Sequence, residues 1–341
     1  MTEDGDPILA DIGKGKFQVT HSYFEAAVSR VPIQNRAQYL TLEGKRDFLE
    51  KLVVESTFYL EGVRRKFFKK KAFRKSLRLH SYGAVNELAK VELLKDIKLT
   101  DEQVRAEYDR VVKDKEKYPF AEHQEDTRHR LLGRMLDNAY NMKKRELAKE
   151  WGVKIDFELL SRFNVFQSEG KKDWPKLEET IATGQDYQYT VGNLLMRLDE
   201  TPPETRKLLR KHPNPKKVVE YIIGEDIIHT WVKREGWDSG PEFETRKKIV
   251  EVGTLSRVTR EEILGEDIKA SSNNARAYYE AHKDELSFGG DPPPFDSIRD
   301  VMIERATEEL RVEATRSLAQ SLTAHRYPVV YFEPNIKQYL Q

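Results

Sequence analysis

The sequence contains no cysteine and no long apolar run. With no Cys among 341 residues, the chain has no disulfides, thiolate metal sites or Cys nucleophiles. No stretch reaches the roughly 18 consecutive apolar residues of a transmembrane helix, so we expect no membrane span. The opening MTEDGDPILADIG lacks the basic and apolar regions of a signal peptide, which predicts either a cytosolic protein or the mature form of an exported one.

Sequence motifs of catalysis and metal binding are also missing. The eight His residues are scattered, and no His-Glu-x-x-His run, nucleophile elbow or phosphate-binding loop occurs. Residues 13–16 read GKGK, which predicts a tight turn between two short strands. Adjacent acids such as Glu261 and Glu262 point in different directions on a helix, so they form no acid–base pair. We therefore expect no catalytic residues, no metal and no cofactor.

Charge is abundant and almost balanced in sign. The chain has 59 Lys and Arg against 58 Asp and Glu, so no whole-molecule field draws it toward polyanions. The first half has an excess of bases and the second half an excess of acids. Residues 63–80, VRRKFFKKKAFRKSLRLH, contain nine Lys or Arg and no acid, a pattern typical of a nucleic-acid or membrane-surface patch.

The sequence repeats itself at an offset of 170 residues. FQVT at residues 17–20 matches YQYT at 187–190, and apolar positions continue to match as far as Arg64 and Arg234. Each copy closes with a long helical segment, at 127–151 and 295–325, and a short β-prone tail. We predict a mainly α fold with two tandem helical modules, residues 1–165 and 185–341, joined by a linker at 166–184. Each module has a few short strands from its start and end.

Local signals predict several element boundaries. Thr20 and Thr100 are expected helix N-caps, and apolar spacing predicts another helix over residues 44–66. In the second copy Gly236 is the expected helix C-terminal glycine, whereas the first copy has Lys66 there. The first-copy helix is therefore expected to continue without a break. The segment FGGDPPPF at 288–295 is expected to be an extended spacer.

These residues also resemble a known family. DPILADIGKGKFQVTHSYFEAAVSRVP, EGKRDFLEKLVVESTFYLEGVRR and LTDEQVRAEYDR are similar to the N-terminal chaperone region of the SurA/PrsA/PpiD group of extracytoplasmic folding factors, of the parvulin-type peptidyl-prolyl isomerase family. KREGWDSGPEFETRKK and NNARAYYEAHKDELSF are the similar segments of the second copy. The resemblance implies two tandem SurA N-domain-like modules. They would form an internal pseudo-dimer, or the chain a homodimer, with exchange of strands or helices between copies left open.

The resemblance implies an ATP-independent holdase chaperone, periplasmic or otherwise extracytoplasmic. Its partners would be unfolded or partly folded client proteins, with no nucleic acid and no membrane span. In the family a parvulin domain follows the YYEAHKDEL segment, but here only residues 286–294 precede the last long helix. Prolyl-isomerase catalysis is therefore expected to be absent. The alternatives are a residual peptidyl-prolyl isomerase, a dedicated assembly adaptor for one secreted or outer-membrane partner, and a nucleic-acid-binding protein.

Two sets of residues are candidate binding surfaces. Two small helical cores cannot bury every aromatic side chain, and an exposed apolar groove binds unfolded chains. The candidate client contacts are Phe58, Tyr59, Phe67, Phe68, Phe73, Met196, Trp231 and Trp237. The candidate basic patch is Arg64, Arg65, Lys66, Lys69, Lys70, Lys71, Arg74 and Lys75. Its charges would either attract acidic clients or pair with the acidic second half of the chain.

Overall fold

The protein is mainly helical, as the sequence predicts. A computed structural model describes residues 2, 5–161, 176–201, 215–265, 268–287 and 292–340. Within these residues the chain forms helices and two small antiparallel sheets. No helix in this part of the chain is both long enough and apolar enough to cross a membrane.

The elements are numbered here in chain order. The α-helices are α1 (His21–Arg30), α2 (Leu42–Arg64), α3 (Lys71–Lys95), α4 (Asp101–Val111), α5 (Phe120–Glu150), α6 (Phe157–Ser161), α7 (Val191–Glu200), α8 (Pro215–Arg234), α9 (Pro241–Leu264), α10 (Ser272–Ala281), α11 (Phe295–His325) and α12 (Glu333–Tyr339). The strands are β1 (Ile8–Ile12), β2 (Phe17–Thr20), β3 (Lys154–Ile155), β4 (Thr180–Gly184), β5 (Tyr187–Thr190) and β6 (Val329–Tyr331). Short 3₁₀ helices occupy Ile33–Tyr39, Phe67–Lys69 and Lys283–Leu286.

The chain divides into two compact units. Unit 1 comprises Met1–His21, Arg46–Phe73 and Val252–Gln341, and unit 2 comprises Ser22–Lys45 and Arg74–Glu251. The boundaries between the units fall inside α1, α2, α3 and α9. Each unit therefore contains residues of both predicted modules, so the compact units differ from the modules 1–165 and 185–341. Sequence repetition and spatial compactness are separate properties, and the module boundaries stay a prediction.

The sheet of unit 1 joins the start of the chain to its end. Its strand order is β2-β1-β6, and all neighbours are antiparallel. The GKGK turn between β1 and β2 is confirmed, with positive φ angles at Gly13 (70°), Lys14 (59°) and Gly15 (81°). Ala10 pairs with Tyr331 and Ile12 with Val329. Unit 1 is therefore closed by a contact between strands that lie more than 300 residues apart in sequence.

The sheet of unit 2 has the order β3-β4-β5. Its middle strand, Thr180–Gly184, falls in the stretch assigned to a linker at 166–184, so that assignment is wrong for these residues. They form a strand because Ile181 and Ala182 are buried in the core while Thr183 pairs with Lys154. Residues 166–175 of the predicted linker, and 288–291 of the predicted spacer, lie outside the described residues.

Each unit has its own apolar core. The core of unit 2 brings the β4–β5 hairpin against α3, α5, α7 and α8, with Ile181, Leu194 and Ile228 fully buried. In unit 1, Leu9 and Ile12 of β1 and Phe58 of α2 are likewise fully buried. A separate cluster in unit 1 packs α10 against α11. Burying each such side chain stabilises the fold by roughly 2 kcal/mol.

The order of elements in the first half of the chain recurs in the second half. Helices α1 and α7 begin at residues 21 and 191, and α3 and α9 begin at 71 and 241, both at the offset of 170. Helices α5 and α11 are each 31 residues long, at an offset of 175. Helix α4 begins after Thr100, whose side chain accepts a hydrogen bond from the Gln103 N–H at 3.2 Å, as the N-cap prediction requires.

Helix α2 ends at Arg64, so the prediction that it continues through Lys66 is wrong. Lys66 has a φ of 61°, close to the 71° of Gly236 at the equivalent position after α8. Both residues make the left-handed turn that leads into the next helix. Lys66 therefore adopts a conformation that costs a non-glycine residue about 1 kcal/mol.

We predict opposite effects from exchanging these two residues. Lys66→Gly is expected to stabilise unit 1 by about 0.5–1 kcal/mol, because glycine adopts positive φ without the clash of a Cβ. Gly236→Lys is expected to destabilise unit 2 by about 1 kcal/mol. No heavy atom lies within 4 Å of a Cβ at Gly236, so this cost is conformational and not steric. Calorimetric melting of both variants is the measurement, and destabilisation by Lys66→Gly would contradict the explanation.

Candidate functional site

Unit 1 contains a groove of about 1100 Å³. Helices α2 and α11 form its long walls, Arg260 of α9 contributes to one side, and β6 lies along an edge. We call it the α2–α11 groove, and its apolar lining includes Val53, Val54, Val312, Ala319, Ala324, Val329 and Tyr331. Val312 is 50% exposed and Tyr331 is 40% exposed, so part of this apolar lining is in contact with solvent.

The groove is open because short side chains occupy positions that large ones fill in unit 2. In unit 2, α5 packs directly against α8. The Tyr140 hydroxyl donates to the Glu225 carboxylate at 3.0 Å, and Lys144 Nζ reaches the same carboxylate at 2.5 Å. At the offset of 175 that relates α5 to α11, Tyr140 becomes Thr315 and Lys144 becomes Ala319. Neither side chain can span the space that the larger residues fill.

A second difference between the two copies lies on the wall formed by α2, and it also favours a more open groove in unit 1. In unit 2 a Cβ at Gly224 of α8 would lie 3.3 Å from Lys144 Cδ, so a larger residue would crowd the Lys144 side chain. At the offset of 170 that relates α2 to α8, this position is Val54, which lines the α2–α11 groove. The equivalent helix pairs therefore enclose different volumes, about 350 Å³ beside Tyr140 and Lys144 in unit 2 and about 1100 Å³ in unit 1.

The walls of the groove have opposite charge. Helix α2 contributes Asp47, Glu50 and Glu55 with one base, Lys51, whereas α11 contributes Arg316. Arg260 of α9, whose guanidinium lies 5.9 Å from the Phe58 ring of α2, is the third base of the lining. Partial burial raises the pKa of the Tyr331 phenol, and the nearby Glu50 carboxylate raises it further. The acids and bases of the lining balance, so the groove offers an apolar floor with no net charge.

The Glu61 carboxylate fixes the corner where α11 leads into β6. The Glu61 side chain is fully buried and accepts hydrogen bonds from four side chains: Arg64 (2.6 Å), Arg65 (2.6 Å), Arg326 (3.2 Å) and Tyr327 (3.1 Å). Burial alone would raise the pKa of Glu61, but these hydrogen bonds together lower it to about 2. An ionised Glu61 therefore joins the end of α2 to the two residues that precede Pro328 and β6.

Three of the eight predicted client contacts are buried inside the protein. Phe58, Tyr59 and Phe73 are buried, which corrects their assignment as contacts in this structure. They face the interior because they continue the apolar stripe of their helices. Phe67, Trp231 and Trp237 are half-buried, and the two Trp rings pack edge to face at 4.8 Å. Phe68 (39%) and Met196 (54%) are exposed, but neither belongs to the lining of the α2–α11 groove.

Part of the predicted basic patch is neutralised by carboxylates of the same chain. In unit 1, Arg64 and Arg65 bind Glu61, and Lys70 binds Glu262 at 2.5 Å. In unit 2, Lys75 binds Asp199 at 3.1 Å. Glu262 and Asp199 lie in the acidic second half of the chain. These two ion pairs agree with the alternative that the basic charges pair with that half. The remaining members of the patch are exposed: Lys66, Lys69, Lys71 and Arg74.

Unit 2 contains a buried polar cluster that the sequence analysis did not identify. The Tyr82 and Tyr187 hydroxyls donate to the Asp226 carboxylate at 3.2 and 3.1 Å, and burial raises the pKa of this carboxyl. The His229 ring stacks on Tyr82 at 4.1 Å, and burial, followed by Lys233 and Arg197, lowers the pKa of His229 to about 4. The cluster fixes α3 and α8 to the hairpin. In the described part of the chain, no group of three or more His, Asp or Glu is arranged to hold a metal ion.

Comparisons with models of protein families, with curated proteins and with solved structures found no match to this chain. What the protein does must therefore be inferred from the geometry of its own sites and from the sequence motifs. The α2–α11 groove, at about 1100 Å³, is larger than the pocket beside Tyr140 (about 350 Å³) and the pocket beside Tyr118 (about 440 Å³). A sequence signal for it exists, because aligning the two long helices places Thr315 and Ala319 opposite Tyr140 and Lys144.

We predict that the buried Glu61 stabilises unit 1 in a pH-dependent way. Glu61→Gln removes the charge that four donors share, at an expected cost of about 2 kcal/mol near pH 7, since the Arg partners are half exposed and turn partly to water. The folded pKa lies below the ordinary value of 4.5, so this stabilisation is complete above pH 4.5 and is lost as the pH falls toward 2.

The measurement is the melting temperature of the wild type and of Glu61→Gln between pH 7 and pH 2. The matched control is Glu333→Gln, which removes an exposed partner of Arg46 and is expected to cost less than about 0.5 kcal/mol at any pH. A gap between the wild type and Glu61→Gln that stays constant down to pH 2 would show that the ionised carboxylate is not the source.

Proposed function

We propose that the protein is an ATP-independent holdase that binds apolar segments of unfolded client proteins in the α2–α11 groove. The observation that carries this proposal is the open, apolar and charge-balanced groove of about 1100 Å³ in unit 1, whose counterpart in unit 2, where Tyr140 and Lys144 reach Glu225, is a pocket of only about 350 Å³. The resemblance of both copies to the SurA/PrsA/PpiD chaperone region supports it. In this proposal the two copies are SurA N-domain-like modules, and only the groove of unit 1 is a client site.

The proposed binding is weak and reversible for a physical reason. Burying one aliphatic client side chain gains about 2 kcal/mol. Association costs several kcal/mol in lost motion, so a few such contacts leave only a modest net affinity. Clients are then released by dissociation, without nucleotide hydrolysis. A location outside the cytoplasm belongs to the same proposal, on the ground of the family resemblance alone.

The proposal differs from a dedicated adaptor in the range of its clients. An adaptor for one partner needs side chains that read that partner, such as paired charges or a deep pocket. The α2–α11 groove has an apolar floor and opposite charges on its walls, which favours apolar segments of many sequences. Suppression of aggregation of several unrelated denatured proteins supports the holdase, whereas activity on a single partner supports the adaptor.

We predict that filling the groove abolishes client binding. Thr315→Tyr combined with Ala319→Lys introduces the residues of unit 2 at the equivalent positions of α11, opposite Glu55, which corresponds to Glu225. At several-fold molar excess, the wild type is expected to suppress light scattering by a denatured client without ATP. The double variant is expected to lose most of this suppression, because a Tyr and a Lys side chain occupy the space that client side chains would enter.

A matched control separates occlusion from a general change in surface chemistry. Val301→Tyr with Asn273→Lys adds the same two side-chain types and the same charge at exposed positions of unit 1 outside the groove. This control is expected to suppress aggregation as well as the wild type does. Calorimetry of all three proteins shows whether they are equally folded. Equal activity of the groove variant and the wild type would contradict the proposed site.

We also predict that the protein does not catalyse prolyl isomerisation. The chain between the 3₁₀ helix Lys283–Leu286 and helix α11, which begins at Phe295, is too short for a parvulin domain. Uncatalysed isomerisation of a proline-containing tetrapeptide takes about 10–100 s at 25 °C. Addition of the protein is expected to leave this rate unchanged, and an acceleration that scales with protein concentration would restore the isomerase alternative.

A further inference from the structure

Strand β6 is the outer strand of the sheet in unit 1 and lies along the α2–α11 groove. The strand order is β2-β1-β6, and within the described residues no strand lies beyond β6. Val330 is 56% exposed and Tyr331 is 40% exposed, and the strand contains no charged residue. Proteins usually protect such an edge with charge, with a bulge or with a covering element, because an uncharged edge pairs readily with another chain.

The hydrogen-bond pattern shows which main-chain groups of β6 face outward. The Gly13 N–H donates to the Pro328 carbonyl at 2.9 Å, and the Phe332 N–H donates to the Leu9 carbonyl at 3.0 Å. In an antiparallel pair, alternate residues direct their N–H and C=O groups to the same neighbour. Val330 therefore faces β1, and the main-chain groups of Val329 and Tyr331 point to the open edge of the sheet.

The side chains of the same two residues face the groove. Val329 and Tyr331 belong to the groove lining and Val330 does not, as the alternation of side chains along a strand requires. An extended segment that hydrogen-bonds to Val329 and Tyr331 would therefore place every second side chain over the apolar floor. Its other side chains would point to the opposite face of the sheet.

The charge of the groove restricts which extended segments can bind beside β6. The lining contains three acids, all on α2, and three bases, of which Arg316 is on α11, so it has no net charge. A segment rich in one sign of charge would be attracted by one wall and repelled by the other. The complementary occupant is a segment without net charge, in which apolar residues alternate with uncharged polar ones.

We infer that clients bind in the α2–α11 groove by strand addition, as an extended, uncharged segment of alternating polarity that pairs with the open edge of β6. This inference rests on the proposed function and specifies its substrate class. The main-chain hydrogen bonds are independent of client sequence, and only alternate side chains contact the groove. Antiparallel addition would continue the arrangement of the sheet and give the order β2-β1-β6-client.

The test uses three peptides of one sequence that alternates Val with Ser and carries a fluorophore on a flexible end. One peptide is unmodified, one is N-methylated at the Val positions, and one is N-methylated at the Ser positions. N-methylation removes a main-chain donor without changing any side chain. Fluorescence anisotropy with the wild-type protein measures the affinity of each peptide.

Strand addition predicts that one methylated peptide binds about tenfold more weakly than the unmodified peptide, since two main-chain hydrogen bonds of about 0.7 kcal/mol each are lost. The other methylated peptide keeps its affinity within about twofold, because its modified nitrogens point away from β6. In antiparallel addition the peptide methylated at Val is the one that loses affinity.

Two outcomes would overturn the inference. If both methylated peptides bind as the unmodified one does, or if both lose affinity equally, main-chain pairing is not the mode of binding. If sedimentation shows a dimer that the unmodified peptide does not dissociate, the edge of β6 is covered by a second copy of the chain. The proposed function is judged separately, since loss of aggregation suppression in Thr315→Tyr, Ala319→Lys supports it whatever the methylated peptides do.

Discussion

The architecture of unit 1 depends on one buried ionised group, Glu61. Its carboxylate is desolvated, and it is stable there because four side chains donate to it from the ends of α2 and α11. Moving a charge from water into the protein interior is expensive, so such a site forms only where the fold holds the hydrogen-bond donors in place. Arg326 and Tyr327 immediately precede Pro328, which begins the edge of the groove. The group that stabilises the corner therefore also positions β6 against β1 and beside α11.

The two halves of the chain use the same order of elements to make different surfaces. Helix pairs α5–α8 and α2–α11 stand at equivalent positions of the repeat, and they differ at three positions that line the space between them. In unit 2 a glycine allows close approach, while a tyrosine and a lysine reach a shared glutamate across the contact. In unit 1 the corresponding residues are Val54, Thr315 and Ala319. Thr315 and Ala319 are too short to reach across, so the space between α2 and α11 stays open. The helix pair of unit 2 thus contributes to stability, whereas the helix pair of unit 1 forms a surface that is exposed to solvent.

Features with local causes were predictable from the sequence. The GKGK turn, the N-cap at Thr100 and the bounds of α11 each depend on a few neighbouring residues. The end of α2 was not predictable, because Lys66 gives no local signal for a left-handed turn. The β1–β6 pairing depends on residues at opposite ends of the chain. The basic and aromatic stretch around Phe67 is a helix junction whose charges are partly paired with carboxylates of the same chain, which its composition alone does not reveal.

The groove itself could have been inferred from the repeat, but only with knowledge of the fold. The offset changes from 170 in the first elements to 175 in the long closing helices, so a single alignment does not place Ala319 opposite Lys144. Once α2 and α11 are known to face each other, the shorter side chains of α11 predict a larger volume between the two helices. The same geometry gives a physical criterion for recognition. A folded protein has few free main-chain donors and buries its alternating apolar side chains, whereas an unfolded segment exposes both. In the proposed function, a groove that combines an open strand edge with an apolar floor would separate unfolded from folded chains by equilibrium binding alone, with no need for an energy source.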